Sequence, residues 1–229
     1  MAGPFRVYED IYCIGGGSIS SAGDCMVYLI DMKKDNLVLI DSGVTNFNRI
    51  VDNIKSLGFD PNNLTDHIIT HNHIDHIGNS ARFKKEFDLK VYAHELDAEP
   101  IELGGSKTGA SFYGVNYEPV EIDHKFTIRE GEEILHIGEY DLHILHIPGH
   151  TPGGIAPYID ISGKRVIFAQ DVHGPLFPAF GSDRKQFVKS LKRMQELNAD
   201  ILCEGHFGIY EGKDKVKGYI GGYIAQFSR

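Results

Sequence analysis

Within the stretch Thr70-His71-Asn72-His73-Ile74-Asp75-His76, three imidazoles and a carboxylate fall inside the six residues from His71 to His76. Such a run contributes little apolar burial, so packing does not explain it. Imidazole is the commonest metal-ligating side chain, and His with Asp suits zinc or iron better than calcium. The chemistry on offer is therefore that of a bound metal ion. Three further candidates lie downstream. His150 sits in Pro148-Gly149-His150-Thr151-Pro152-Gly153-Gly154, where Pro and Gly force a sharp turn; Asp171 and His206 each follow an apolar run. Any one of these alone reads as a cap or turn residue. Together with the His71–His76 cluster they read as one site.

The elements that must position these groups follow from hydrophobic periodicity. His67-Ile68-Ile69-Thr70 predicts a buried strand ending where the ligands begin. Met26–Ile30 and Leu37–Ile40 predict a strand pair around a polar turn, the second strand ending at Asp41. Phe47, Ile50, Val51, Ile54 and Leu57 recur at helical spacing over residues 46–57, with Gly58 at the stop position. Residues 79–87 read as a short helix and Val91–Ala93 as a strand. The second half repeats this order: a strand pair over 155–159 and 166–168, Asp171, a helix marked by Phe187, Val188, Leu191, Met194 and Leu197, a strand at Ile201–Cys203, then His206. Asp41 and His71 are 30 residues apart, Asp171 and His206 are 35 apart. That parallel predicts two similar β/α halves within a single domain over residues 1–229, with a site at their seam.

Other stretches are less decisive. Val7–Ile14 has strand composition. Gly15–Gly23 reads as a loop that either joins strands or borders the site, and no Lys-Ser/Thr pair follows to make it a phosphate loop. Residues 134–137 and 142–147 are strands in which His136, His143 and His146 read as structural or surface residues. Residues 95–118 are the hardest to read; they either cover a pocket or pack against the domain edge.

Composition bounds the function. The chain has 229 residues, 41% hydrophobic and 24% charged, as in ordinary globular proteins. A net charge of −9 disfavours a nucleic-acid surface. Cys13, Cys25 and Cys203 are odd in number and lack CxxC spacing, which fits a reducing compartment. No signal-length or membrane-length apolar run occurs, so a cytoplasmic protein without membrane attachment is expected. The oligomeric state stays open, a homodimer being one option.

Asp41 after its strand, His71-x-His73-x-Asp75-His76, His150 in its Pro-Gly-His-Thr-Pro-Gly-Gly turn, Asp171 and Gly205-His206 stand in an order that resembles the metallo-β-lactamase-fold superfamily over nearly the whole chain. The resemblance implies an α/β (α+β) fold, a four-layer αββα sandwich of two mixed sheets with the site at one edge. It implies that His71, His73 and His150 bind one metal, that Asp75, His76 and His206 bind a second, and that Asp171 bridges them. Asp41 would orient ligands by hydrogen bonds. The complete set implies two divalent ions roughly 3.5–4 Å apart, with zinc expected first and iron or manganese as alternatives.

The chemistry so implied is hydrolysis of a small-molecule substrate by a metal-bridging hydroxide, with Asp75 orienting it and passing a proton to the leaving group. Spacing and length look most like the glyoxalase II-like and lactonase-like branches, so a thioester, lactone or other small ester is expected. Only Tyr210–Arg229 follow His206 and its neighbours, which argues against glutathione as the thiol. His173, Phe177, Phe180 and Tyr113 are candidates for the substrate pocket. The alternatives are a mononuclear iron enzyme like the persulfide dioxygenases, which use part of this ligand set, a phosphodiesterase or nuclease of the same fold, and a non-catalytic binding module.

Overall fold

A seven-stranded sheet and a six-stranded sheet pack face to face in the computed structural model, which describes residues 2–169 and 171–229. The first sheet holds, in spatial order, β1 (Phe5–Tyr8), β2 (Ile11–Cys13), β3 (Tyr28–Asp31), β4 (Leu37–Ile40), β5 (Leu64–Ile68), β6 (Lys90–His94) and β7 (His124–Phe126). The second holds β8 (Glu133–Ile137), β9 (Tyr140–His146), β10 (Ile155–Ile161), β11 (Lys164–Phe168), β12 (Ile201–Cys203) and β13 (Ile209–Glu211), also neighbours in sequence order. Seven α-helices complete the described chain: α1 (Phe47–Ser56), α2 (Ile74–Ile77), α3 (Ser80–Phe87), α4 (Glu95–Leu103), α5 (Ala110–Tyr113), α6 (Arg184–Glu196) and α7 (Lys213–Phe227).

Strand alternation sends side chains to both faces of each sheet, and both faces are apolar, so each sheet is covered twice. Between the sheets lie Tyr28, Ile30, Val38 and Ile40 from one side and Ile144, Ile159, Val166 and Phe168 from the other. The outer face of the first sheet (Leu29, Leu39, Val91) meets Phe47, Ile50 and Ile54 of α1, Phe83 of α3 and Ile101 of α4. The outer face of the second (Leu145, Ala156, Ile167, Leu202) meets Phe187, Leu191 and Met194 of α6 and Val216 and Ile220 of α7. The result is the expected αββα order.

The two halves are built alike. β3 and β4 form an antiparallel pair, α1 crosses over, and β5 returns parallel to β4. β10 and β11 pair antiparallel, α6 crosses over, and β12 returns parallel to β11. Asp41 and Asp171, just beyond β4 and β11, both adopt left-handed backbone, φ 56° and 51°. Asp is one of the few side chains that tolerates that conformation, because its carboxylate can bond locally.

Some boundaries differ from the sequence reading. Val7–Ile14 is not one strand: Glu9 turns left-handed (φ 43°) and Tyr8 pairs with Ile11, making a tight hairpin. The strand expected at 67–70 spans Leu64–Ile68, although Ile69 still donates to the Tyr92 carbonyl at 2.9 Å. Residues 95–118 do both things open to them: α4 buries Ala98 and Ile101 against the first sheet, while α5 and the turn before it reach the pocket. Residues 213–227, for which periodicity gives no clear element, form α7. Gly218, Gly221 and Gly222 weaken its helical signal, and packing on α6 outweighs that propensity. Gln170, read as the strand residue before Asp171, lies outside the described residues. Among the described residues no helix is long and apolar enough to cross a membrane.

Candidate metal centre

The ends of β4, β5, β9, β11 and β12 meet at one edge of the sandwich, and each delivers one part of the expected set. After β5 the chain runs through His71 and His73 into the single turn of α2, which carries Asp75 and His76. The turn after β9 presents His150, and the loop after β12 presents His206. His71, Asp75, His76, His150 and Asp171 are buried, His73 is half-buried and His206 is exposed.

Two groups of donor atoms form there. His71 Nε2 lies 3.1 Å from His73 Nδ1, and His150 Nε2 lies 2.9 Å from the same atom. Asp171 Oδ2 closes this group at 3.1 Å from His150 Nε2 and 3.6 Å from His71 Nε2. In the second group His76 Nε2 is 3.5 Å from Asp75 Oδ2 and 3.4 Å from Asp171 Oδ1. His206 Nε2 is 3.2 Å and 3.3 Å from the same two oxygens. A tetrahedral ion with ligands near 2.0–2.1 Å has ligand–ligand edges of roughly 3.3 Å. Both groups match that spacing, and Asp171 offers one oxygen to each. His76 Nε2 is buried without a hydrogen-bond partner. A ring nitrogen left bare in this way fits a metal ligand.

Asp41 sets the tautomers. Its Oδ2 accepts from His76 Nδ1 at 2.7 Å and from the Thr70 hydroxyl at 2.7 Å, while Oδ1 accepts from the Thr70 amide at 2.8 Å. Having given its hydrogen to Asp41, the Thr70 oxygen can accept from His71 Nδ1 at 3.2 Å. In both histidines Nδ1 then holds the hydrogen and Nε2 presents a lone pair to the centre. Asp41 is fully buried and meets the centre through these hydrogen bonds.

Burial lowers His71 and His73, and the facing imidazoles add to it: His71 falls well below the usual range and His73 to about 3. Both are neutral at pH 7 and ready to ligate. Burial would raise Asp171, but His76 together with the hydrogen bonds from His150 and His206 holds it well below the carboxylate range. Asp75 is lowered likewise, burial being outweighed by His76 and His206. Burial opposes charge on His206, yet its hydrogen bonds to Asp171 and Asp75 push it up to about 10. The two carboxylates thus hold protons on neighbouring imidazoles, and a divalent cation is a natural replacement for those protons.

Three supporting carboxylates escape a sequence reading because none lies in a ligand-like pattern. Asp97 at the start of α4 is fully buried and accepts from the Asn72 amide at 3.2 Å, the Thr151 hydroxyl at 2.6 Å and the Gly153 amide at 2.6 Å. It ties the His71–His73 loop to the His150 turn. A Cβ on Gly153 would sit 2.6 Å from the Asp97 nitrogen, and one on Gly149 (φ 136°) 2.2 Å from the Phe187 nitrogen, so the turn needs both glycines. Asp24 accepts from the Val44 and Thr45 amides at 2.9 Å and from Ser20 at 2.6 Å, anchoring the chain beyond Asp41. The Gly15–Gly23 loop therefore ends against the site, and the Cys25 amide donates to the Asp75 carbonyl at 3.2 Å. Glu204 accepts from His173 Nδ1 at 2.7 Å and from the amides of His206 and Phe207 at 2.6 and 2.7 Å.

The histidines of the second sheet stay outside the centre. His136 is exposed beside Asp141 and His143 stacks on Tyr158. His146 is buried, stacks on His94 with ring centroids 4.0 Å apart, and donates to the Pro152 carbonyl, bracing the His150 turn.

The centre opens into a cavity of about 530 Å³. His173, Phe177, Phe180 and Tyr113 all line it, and so do Phe112, Pro175 and Phe207. Phe180 packs edge-on against His73 at 5.3 Å, with Phe177 and Phe112 beyond it at 5.7 and 5.8 Å. Burial, and the Asp75 carboxylate it faces, push the Tyr113 hydroxyl up, so it stays a phenol. No Lys or Arg lines this cavity among the described residues.

Residues 21–206 match the description of the metallo-beta-lactamase superfamily, a span that takes in every expected ligand. The chain belongs to the metallo-beta-lactamase superfamily. Hydroxyacylglutathione hydrolase GloC of Haemophilus influenzae is 30% identical over 183 residues, covering 76% of this chain and 81% of that protein. Probable metallo-hydrolase MJ0888 of Methanocaldococcus jannaschii is 29% identical over 187 residues, 78% of this chain and 85% of its own. In structure, BJP-1, a subclass B3 metallo-beta-lactamase of Bradyrhizobium japonicum, superposes with a TM-score of 0.78 at 22% identity, covering 99% of this chain and 91% of that one. As in its metallo-hydrolase relatives, the coarse activity of this superfamily member is metal-dependent hydrolysis, and its His/Asp groups are suited to divalent ions.

Proposed function

We propose that this superfamily member is a two-metal hydrolase of thioesters or lactones whose acyl part is apolar. The observation that carries the reading is the sharing of Asp171 between two complete donor groups that open onto an aromatic cavity lined, among the described residues, by no Lys or Arg. His71, His73 and His150 would hold one ion, Asp75, His76 and His206 the other, with Asp171 between them and Asp41 behind both. Divalent metal in those positions supplies Lewis acidity and lowers the pKa of water to about 7.

The chain's own residues do the rest. Asp75, facing both His206 and the Tyr113 hydroxyl, orients the attacking water and receives its proton. It then passes the proton to an alkoxide leaving group, whereas a thiolate needs little such help. Phe112, Phe177 and Phe180 hold the acyl group and exclude water from its flank. The absence of Lys and Arg from the lining among the described residues speaks against a phosphodiester substrate, and the second donor group against a mononuclear iron site. The glutathione-named relative makes a glutathione thioester one arm of the substrate test.

The test is metal quantification followed by rates on aromatic and aliphatic thioesters, lactones, phosphodiesters and β-lactams, with oxygen uptake monitored on glutathione persulfide. Two ions per chain and turnover of a thioester or lactone are expected. One iron per chain with oxygen uptake, or phosphodiester turnover alone, would overturn the reading.

A further inference from the structure

His94 ends β6 in the first sheet and His146 ends β9 in the second, and both are buried. Their rings lie flat against each other, centroids 4.0 Å apart and planes 6° from parallel. The Leu96 amide donates to His94 Nδ1 at 3.2 Å, capping α4. The ring hydrogen is therefore on Nε2, which gives it to the Ile128 carbonyl at 2.8 Å. His146 Nε2 lies 3.0 Å from the Pro152 carbonyl, which can only accept, so its hydrogen is there too. His146 Nδ1 is buried with no hydrogen-bond partner.

Neither ring can take a second proton while this contact holds. On His94 it would displace the Leu96 amide; on His146 it would leave a buried N–H bare beside another imidazole. The surrounding charges lean the same way. Arg129 Nη1 is 3.0 Å from His94 Nε2, and Arg193 of α6 donates to the His146 carbonyl at 3.0 Å. The acids nearby are engaged: Glu95 of α4 pairs with Arg129 Nη2 at 2.6 Å and Glu133 of β8 with His124 at 2.7 Å. Asp97 of α4 holds the Thr151 hydroxyl and the Gly153 amide. Burial lowers both imidazoles, His146 to about 4, and Arg129 adds to this on each.

The stack stands at the root of the two pieces that Asp97 joins. His94 caps the helix that carries Asp97, and His146 braces the turn that carries His150. We infer that the His94–His146 stack is an acid-sensitive latch on the candidate metal centre: as protons enter, the rings part, α4 loses its cap and the His150 turn comes free of Asp97 while the sheets stay folded. In the open form both imidazoles return to the ordinary range near 6.5. Proton uptake then favours opening as pH falls from about 6.5 toward 4, and the latch is fully held above that window. It acts on the donor groups whatever the substrate.

The test is amide hydrogen exchange, followed by NMR on the full chain, zinc-loaded and zinc-free, at about pH 7.5 and about pH 5. The probes are the amides of Leu96, Asn72 and Gly153, whose acceptors are the His94 ring and the Asp97 carboxylate. The comparison protein carries His94→Asn and His146→Gln, side chains that can cap α4 and reach the Pro152 carbonyl but cannot titrate. Asp97, which burial raises to about 6, titrates in both proteins and cancels between them. One imidazole passing from about 4 to the ordinary 6.5 makes opening about thirtyfold easier at pH 5. Between the two pH values the native chain should therefore lose about thirtyfold more protection at these amides than the variant. The probes should also exchange faster than the amides of β10, because the opening is local. His94→Asn and His146→Gln singly should each remove part of the response, and they serve as the comparison if the double variant does not fold. Equal loss of protection in native and variant chains, or exchange of the probes in step with β10, overturns the inference.

Discussion

Asp41 and His76 meet at 2.7 Å with both side chains fully buried, and through that contact a carboxylate that is itself no ligand orients the centre. The same Asp41 oxygen holds Thr70, and Thr70 holds His71, so one residue sets a nitrogen in each donor group. Asp41→Ala should weaken metal affinity by about 10–100-fold, the usual effect of losing such a partner. It should also destabilise the metal-free protein by about 3 kcal/mol, because buried donors are left bare. Metal titration and denaturant melts check both; unchanged metal affinity would show that His71 and His76 are oriented by something else.

Asp97 joins the two loops that carry His71, His73 and His150. Removing its carboxylate strands the amides of Asn72 and Gly153 and the Thr151 hydroxyl, each buried donor costing about 1–3 kcal/mol. Asp97→Ala is therefore expected to lower stability by at least about 2 kcal/mol and to loosen metal binding at the His150 side. Gly153→Ala should mimic it, since its Cβ would collide with the Asp97 backbone. A Gly153→Ala protein with native melting temperature and metal content would contradict this.

His67 gives the fold an acid limit. It lies wholly buried on β5, its Nε2 2.8 Å from Ser80 Oγ, and burial lowers it to about 4 from the ordinary 6.5. Between those values the unfolded chain binds a proton that the folded chain refuses. The contribution of neutral His67 is thus complete above about pH 6.5 and lost as pH falls toward 4, about 3 kcal/mol in all. Replacing it by Gln, which cannot titrate, should flatten the dependence of unfolding free energy on pH across that window. An acid limb of unchanged slope would count against the assignment.

Phe177 is half exposed at the cavity wall and packs on Phe180. Phe177→Ala removes apolar contact with a bound acyl group and should raise KM for aromatic thioesters about tenfold, with far less change for an acetyl thioester. Parallel losses on both substrates would place Phe177 in the scaffold instead of the pocket.

Much of this is legible in the sequence alone. Candidate ligands such as His71 and His150 announce themselves because metal chemistry needs particular side chains at strand ends, and the two β/α halves because Phe47–Leu57 and Phe187–Leu197 keep helical periodicity. What was hidden depends on distant partners. Nothing local marks Asp97 as the clasp of the His150 turn, since its three donors lie 25 to 56 residues away. Glu204 reads as one more strand-end acid until His173 is brought to it from 31 residues off. α7 escapes because its glycines mask a helix that exists by packing on α6.

The most direct measurement is the metal content of the active protein set beside that of Asp171→Ala. If Asp171 joins two donor groups, the native chain should carry two divalent ions, and the variant should lose at least one of them together with thioester or lactone hydrolysis. A fully active native chain holding a single ion, or an Asp171→Ala protein that keeps two ions and full activity, would contradict the shared centre.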